Sequence, residues 1–156
     1  MFGFFKSLPY EAPIIGTLNR RQGKWWGSIA LPPSIPQIPI ALSGNQKQPD
    51  DLSIMLASQL PTHYPALLPD IQKELFIHAQ PYIEAQDSNP PLPELRDDDS
   101  LWQHVQLIGI LIEPLGKIPT IELAYQTLWD EEHTLGAQIQ NWQLSALNGS
   151  IFNIFR

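Results

Sequence analysis

Between residues 121 and 147 the side chains repeat with a period of two, which a helix cannot use and a sheet requires. Ile121, Leu123, Tyr125, Thr127 and Trp129 fall on one side of an extended chain, and Glu122, Ala124 and Gln126 fall on the other. Such alternation marks a half-buried strand. Leu135, Ala137 and Ile139 alternate with Gly136, Gln138 and Gln140 and mark a second strand. Between the two sits Asp130-Glu131-Glu132-His133, too polar to bury unpaired. The stretch predicts a hairpin with an acidic tip, and with it a sheet that has one buried face.

The chain of 156 residues is long enough for one domain with a real core. A hydrophobic content of 43% argues against general disorder, although only 16% of the residues are charged. The net charge of -7 argues against a nucleic-acid partner, because phosphate binding needs clustered Lys and Arg. Residues 1–35 run against the trend, with Lys6, Arg20, Arg21 and Lys24 against Glu11. The absence of cysteine removes disulfide and thiolate chemistry and agrees with a cytoplasmic location. The longest apolar run, residues 107–112, is far short of the roughly 20 residues of a membrane span. The apolar start, Met1-Phe-Gly-Phe-Phe-Lys6, lacks the basic region and cleavage site of a signal peptide. The expectation is a soluble protein with no membrane partner.

Residues 1–12 read as an aromatic arm, with Phe2, Phe4, Phe5 and Tyr10, ahead of a single domain over 13–156. Strands are expected at 14–18, 24–31 and 37–42, separated by a turn at 19–23 and by Pro32-Pro33 and Pro36. Trp25 and Trp26 must point to opposite faces of their strand, so one enters the core and the other offers a contact surface. Asp50-Asp51 caps a helix carrying Leu52, Met55, Leu56 and Leu60. Pro61, Pro65 and Pro69 are expected to interrupt it. A second helix restarts near Pro69 with Leu68, Ile71, Leu75, His78 and Tyr82 on one stripe, and Pro81 is expected to kink or end it. After a proline-rich connector, a short helix at 100–105 presents Leu101, Trp102 and Val105. Residues 107–112 are apolar on both faces and predict a central strand. A turn at 114–117, the organising hairpin, a tight turn at Asn141-Trp142, a strand at 143–147 and an alternating tail at 151–155 complete the order. The fold class is therefore α+β. A largely antiparallel sheet of about six strands, three N-terminal and three or four C-terminal, packs on two main helices and one short helix.

Trp25-Trp26-Gly27 on an early strand, the Asp-capped helix, and Trp129-Asp130-Glu131-Glu132-His133-Thr134-Leu135-Gly136 together carry a resemblance. Over roughly residues 14–149 the chain resembles an uncharacterised bacterial domain family, a domain of unknown function, with a C-terminal Trp-Asp-Glu-Glu-His-Gly-x-Gly signature. Thr134 stands where that signature has Gly, so a positive φ there would strain this chain. The resemblance implies a fold and no reaction, with a link to interaction or toxin-immunity proteins.

Three carboxylates and an imidazole at 130–133 could ligate Ca²⁺, Mg²⁺, Zn²⁺ or Mn²⁺, with Glu131, Glu132 and His133 as the ligand set. Adjacent residues seldom complete a coordination sphere, however, and no spaced metal motif accompanies them. His133 with Glu131 or Glu132 is the best acid–base pair, and Glu113 and Glu122 could join it. A structural role is the plainer reading, with Asp130 fixing the loop and a carboxylate orienting His133 over Trp129. No nucleophile elbow or phosphate loop is present, so no catalytic residue is assigned. The sequence therefore predicts a non-catalytic protein-binding module of the immunity or adaptor type, with no cofactor and a protein partner. The residues expected to bind are Trp25, Trp26, Trp129, Asp130, Glu131, Glu132 and His133. The alternative is a metal-binding domain or metal-dependent hydrolase built on the 130–133 tip. A third reading is a structural subunit whose arm adds to a neighbour.

Overall fold

The alternating segment at 121–129 becomes the middle of a sheet of eight strands laid out in chain order. The structure, a computed structural model, describes residues 7–33, 35–85 and 91–150. Its strands are β1 (Tyr10–Ala12), β2 (Gly16–Arg21), β3 (Lys24–Leu31), β4 (Ile35–Leu42), β5 (Val105–Leu115), β6 (Ile118–Thr127), β7 (Asp130–Gln140) and β8 (Gln143–Gly149). Between β4 and β5 lie one long helix, α1 (Asp51–Ala85), and a short 3₁₀ helix (Asp99–His104). Every neighbouring pair of strands is antiparallel except β4 and β5, which are parallel.

Tight turns hold the hairpins in register. Gln22 and Gly23 take φ of 53° and 77°, and Asn141 and Trp142 take 51° and 59°. Two consecutive positive φ values are what a two-residue turn between right-twisted strands requires. For Trp142 that conformation is sterically costly. Its indole lies flat on His63 of α1, with ring centroids 4.0 Å apart and planes 2° apart, which offsets the cost.

One stripe of α1 faces the sheet. Ser53, Ala57, Leu60, Tyr64, Leu67, Ile71, Leu75 and Ala79 are buried at steps of three and four. They pack with Ile40, Ile110, Leu123, Tyr125, Leu135 and Ile139 in one apolar core. No described helix is long and apolar enough to cross a membrane.

The expected α+β arrangement of about six largely antiparallel strands on two main helices is incorrect: the sheet is mixed and has eight strands, over one long helix and a 3₁₀ helix. The extra strand near the start, β1, has three residues, too few to display a period. The parallel pair arises because α1 carries the chain from β4 back to the same edge, a β–α–β crossover that segregated runs of strands and helices had seemed to exclude. The expected turn at 114–117 is shorter, because Pro114 and Pro119 face each other as a strand pair. The predicted tail strand at 151–155 and the arm residues 1–6 lie outside the described residues.

The two expected helices are one. α1 runs 35 residues, about 50 Å at 1.5 Å per residue, with Pro61, Pro65, Pro69 and Pro81 inside it. A proline in a helix interior costs about 3 kcal/mol through a lost hydrogen bond and a ring clash. The carbonyls that lose a donor belong to Ala57, Pro61, Pro65 and Ile77; Pro65 and Ile77 are exposed and Pro61 is half-buried, so of the four the one on buried Ala57 lies in the core. Each large side chain on the buried stripe contributes roughly 1.5–3 kcal/mol. That continuous contact outweighs the breaks.

On the face of the sheet away from the α1 core, Glu122 is 3% exposed and pairs across the strands with Leu111 and Gln138. A Cβ on Gly136 would run into the Glu122 carboxylate and its Cγ. Gly136→Ala is therefore expected to lower stability by about 1–3 kcal/mol in urea unfolding, and to cost much less in a Glu122→Ala background. Pro81→Ala, on the exposed side of α1, is expected to raise stability by about 2–3 kcal/mol in the same measurement.

Candidate functional site

The acidic hairpin tip is tighter than its sequence implies. Thr127 pairs with Asp130, so the turn is Leu128-Trp129 and the acidic residues begin β7. The next pair is Tyr125 with Leu135, which sets four residues of β7, 131–134, against one of β6. This bulge re-aims side chains that a regular strand would send to opposite faces. It lets His133 Nδ1 approach Asp130 Oδ1 at 2.9 Å.

The last turns of α1 supply the rest. Tyr82 Oη donates to Asp130 Oδ2 at 2.9 Å. Trp129 Nε1–H donates to His78 Nδ1 at 3.0 Å. The His78 ring stacks on Tyr82 with centroids 5.7 Å apart. His78 Nδ1 is thus an acceptor, and the neutral ring carries its proton on Nε2. Burial lowers the His78 pKa, and the nearby Asp130 carboxylate only partly opposes this. Burial pushes Asp130 up, but the hydrogen bonds from His133 and Tyr82 together outweigh it, and its pKa lies below the usual value. The bond to Asp130 is the main reason the Tyr82 phenol is raised.

Of the residues singled out in the sequence, the structure joins Trp129, Asp130 and His133 and leaves the others apart. Glu131 and Glu132 are exposed. Glu131 borders a shallow groove of about 440 Å³ between the end of the 3₁₀ helix and the turn, beside Leu128 and His104. Glu113 pairs with Lys24 at 2.7 Å, and Glu122 accepts from Ser150 Oγ at 3.2 Å, so neither joins the tip. Among the described residues, no group of three or more His, Cys, Asp or Glu is placed to hold a metal ion. Thr134 has no positive φ, so the strain expected at that position is not there. Trp25 is fully buried and donates from Nε1 to the Asn45 carbonyl at 2.9 Å. Trp26, half-buried on the other face, donates to the Arg21 carbonyl and carries the Arg21 guanidinium 4.5 Å above its ring.

Sequence reasoning placed His78 and Tyr82 on one apolar stripe and gave neither a partner across the fold. The spacing of four between them was the available signal, since it puts both rings on one flank.

Among the described residues, a mixed eight-stranded sheet under one long proline-bearing helix, with a hydrogen-bonded acidic hairpin tip, defines a small single-sheet domain of strands and helix. The chain matches, over residues 16–150, the family described as Domain of unknown function (DUF6985), and it belongs to that family. No curated protein and no solved structure matches it.

The network makes stability depend on pH in two steps. A histidine whose folded pKa is below its unfolded value of about 6.5 costs stability as pH falls through that value and on toward the folded one. A carboxylate with a lowered pKa contributes stability above its unfolded value of about 3.8, and loses it as pH falls through the folded one. Thermal midpoints are expected to fall first below about pH 6.5 and again below about pH 4. His78→Gln should flatten the first step, and Asp130→Asn should flatten the second.

Proposed function

We propose that the domain is a non-catalytic protein-binding module of the immunity or adaptor type, acting in the cytoplasm, whose contact surface is the acidic end around the β6–β7 turn. The supporting observation is the way the tip is held. Asp130 has both oxygens engaged, by Tyr82 and His133, and Trp129 is anchored on His78. The turn is therefore rigid, while Glu131 and Glu132 stand exposed on it beside Leu128, itself 40% exposed.

The 3₁₀ helix extends the same surface. Its last residue, His104, receives the backbone N–H of Leu128 on its carbonyl, and Asp97, Asp98 and Asp99 cluster at its start. Six residues of 3₁₀ helix span about 12 Å, about one and a half Debye lengths at physiological salt, so the two acidic groups offer a partner two neighbouring patches and not one summed field. The fitting partner is a protein with a basic face around an apolar contact for Leu128. Rigid presentation lowers the entropy that binding must offset. The reading of Trp129 to Gly136 as the signature of a bacterial family, and of 13–156 as one domain behind an arm, belongs to the same proposal.

A photo-crosslinking residue at position 128, used in the native host, is expected to capture one protein with a basic contact surface. Glu131→Lys with Glu132→Lys should abolish the adduct without moving the melting midpoint by more than a degree or two. An adduct that survives both reversals, or that forms equally in 0.5 M salt, would sink this reading.

A further inference from the structure

β4 and β5 are neighbours for only part of their length. They pair at Ile40 with Ile110, Ala41 with Leu111 and Leu42 with Ile112. Toward their other ends, residues 35–39 of β4 pair with β3 alone, and residues 105–109 of β5 pair with β6 alone. The sheet therefore splits, and the split opens a cleft of about 760 Å³ against α1 and the 3₁₀ helix. Ile35 and Ile38 form one wall, Leu107 the other, with Leu68 and Pro69 of α1 and the Trp102 indole completing the apolar lining.

Two tyrosines give the cleft a specific chemistry. Tyr64 and Tyr125 both line it, and their hydroxyls meet at 3.1 Å. Two hydroxyls carry two protons, and one bond between them uses one. The second proton has no protein acceptor among the described residues. Burial raises the pKa of both phenols, so the pair remains a neutral donor. An acceptor comes from α1. Pro69 cannot give the Pro65 carbonyl its usual donor, and both prolines line the cleft. The charged residue in the lining is Asp99, which disfavours an anion.

The open strand edges raise the possibility of an inserted peptide strand. The prolines of β4 argue against it. Pro36 and Pro39 stand at positions of opposite parity, so whichever set of backbone groups faces the gap, one donor is missing.

We infer that this cleft is a binding site for a neutral, largely apolar small molecule that carries an amide or hydroxyl group, which accepts from the tyrosine pair and donates to the proline-freed carbonyl of Pro65. The cleft shares Asp99 with the acidic surface, but its proposed contacts, the tyrosine pair and the Pro65 carbonyl, lie outside that surface, so the inference does not rest on it.

The test uses the full chain and two probes of one shape, neutral 3-phenylpropanamide and its anionic counterpart 3-phenylpropanoate, followed at the Trp102 indole N–H by NMR. The amide is expected to shift that signal saturably, and the anion to bind at least about tenfold more weakly. The Tyr64→Phe/Tyr125→Phe double variant removes both hydroxyls together, which leaves no orphaned group, and should fold. Its affinity for the amide is expected to fall about three- to tenfold, the size of one net hydrogen bond. Leu68→Trp, which fills the cleft from the half-buried side of α1, should abolish the shift. The inference is overturned if the amide gives no saturable shift, if the shift persists in Leu68→Trp, or if a capped Val-Thr-Val-Thr-Val strand binds where the amide does not.

Discussion

The contact between one helix and one face of the sheet supports the rest of the structure. A mixed sheet of eight strands has a broad apolar face, and among the described residues α1 is the one long element that covers it. Its buried residues repeat along nearly its whole length, from Ser53 to Ala79. The helix also makes a specific contact at each region it crosses: His63 stacks on Trp142 of the β7–β8 turn, Tyr64 bonds Tyr125 of β6, and His78 receives the Trp129 indole at the β6–β7 turn. A helix broken at its prolines could not hold all three. Cooperativity along the stripe therefore keeps a proline-rich segment helical where local propensity opposes it.

The same contact explains how a run of four polar residues becomes an ordered tip. Asp130 is mostly buried and His133 is mostly exposed, with side chains 9% and 66% accessible. The carboxylate that is hidden is also the one with partners, as burial of a charge requires. The remaining carboxylates of the tip stay in water. The network thus divides the run into an internal support and an external surface, which is the arrangement of a rigid contact patch more than of a converging ligand set.

The parallel junction has the opposite effect. Parallel strands need a crossover, and α1 supplies it, but the two strands stay together over three residue pairs only. Pro36 and Pro39 cannot donate to a ladder, so β4 cannot follow β5 further without leaving polar groups unpaired. The fold accepts a cleft instead, and the tyrosine pair and the helix prolines bring polar groups to its apolar walls.

Much of this was legible in residues taken locally. The period of two announced β6 and most of β7, the Asn141-Trp142 turn was visible between Gln140 and Gln143, and the opposite facing of Trp25 and Trp26 follows from pleat geometry alone. The sequence paired His133 with Glu131 or Glu132; the bulge that joins it to Asp130 instead was not legible, because register depends on what each strand meets. Helix continuity through Pro61, Pro65 and Pro69 was likewise hidden, since local chemistry opposes it and only a long buried stripe overrides it. The parallel β4–β5 pair, the partners His78 and Tyr82 of the tip, and the meeting of Tyr64 with Tyr125 all join residues far apart in the chain. By itself the sequence determined which segments are extended, which are helical and where most of the turns fall, because those follow from side-chain period and backbone sterics. Only the tertiary structure decided which edges meet, which charges are hidden and where the sheet opens, because those are settled by packing between segments and not within them.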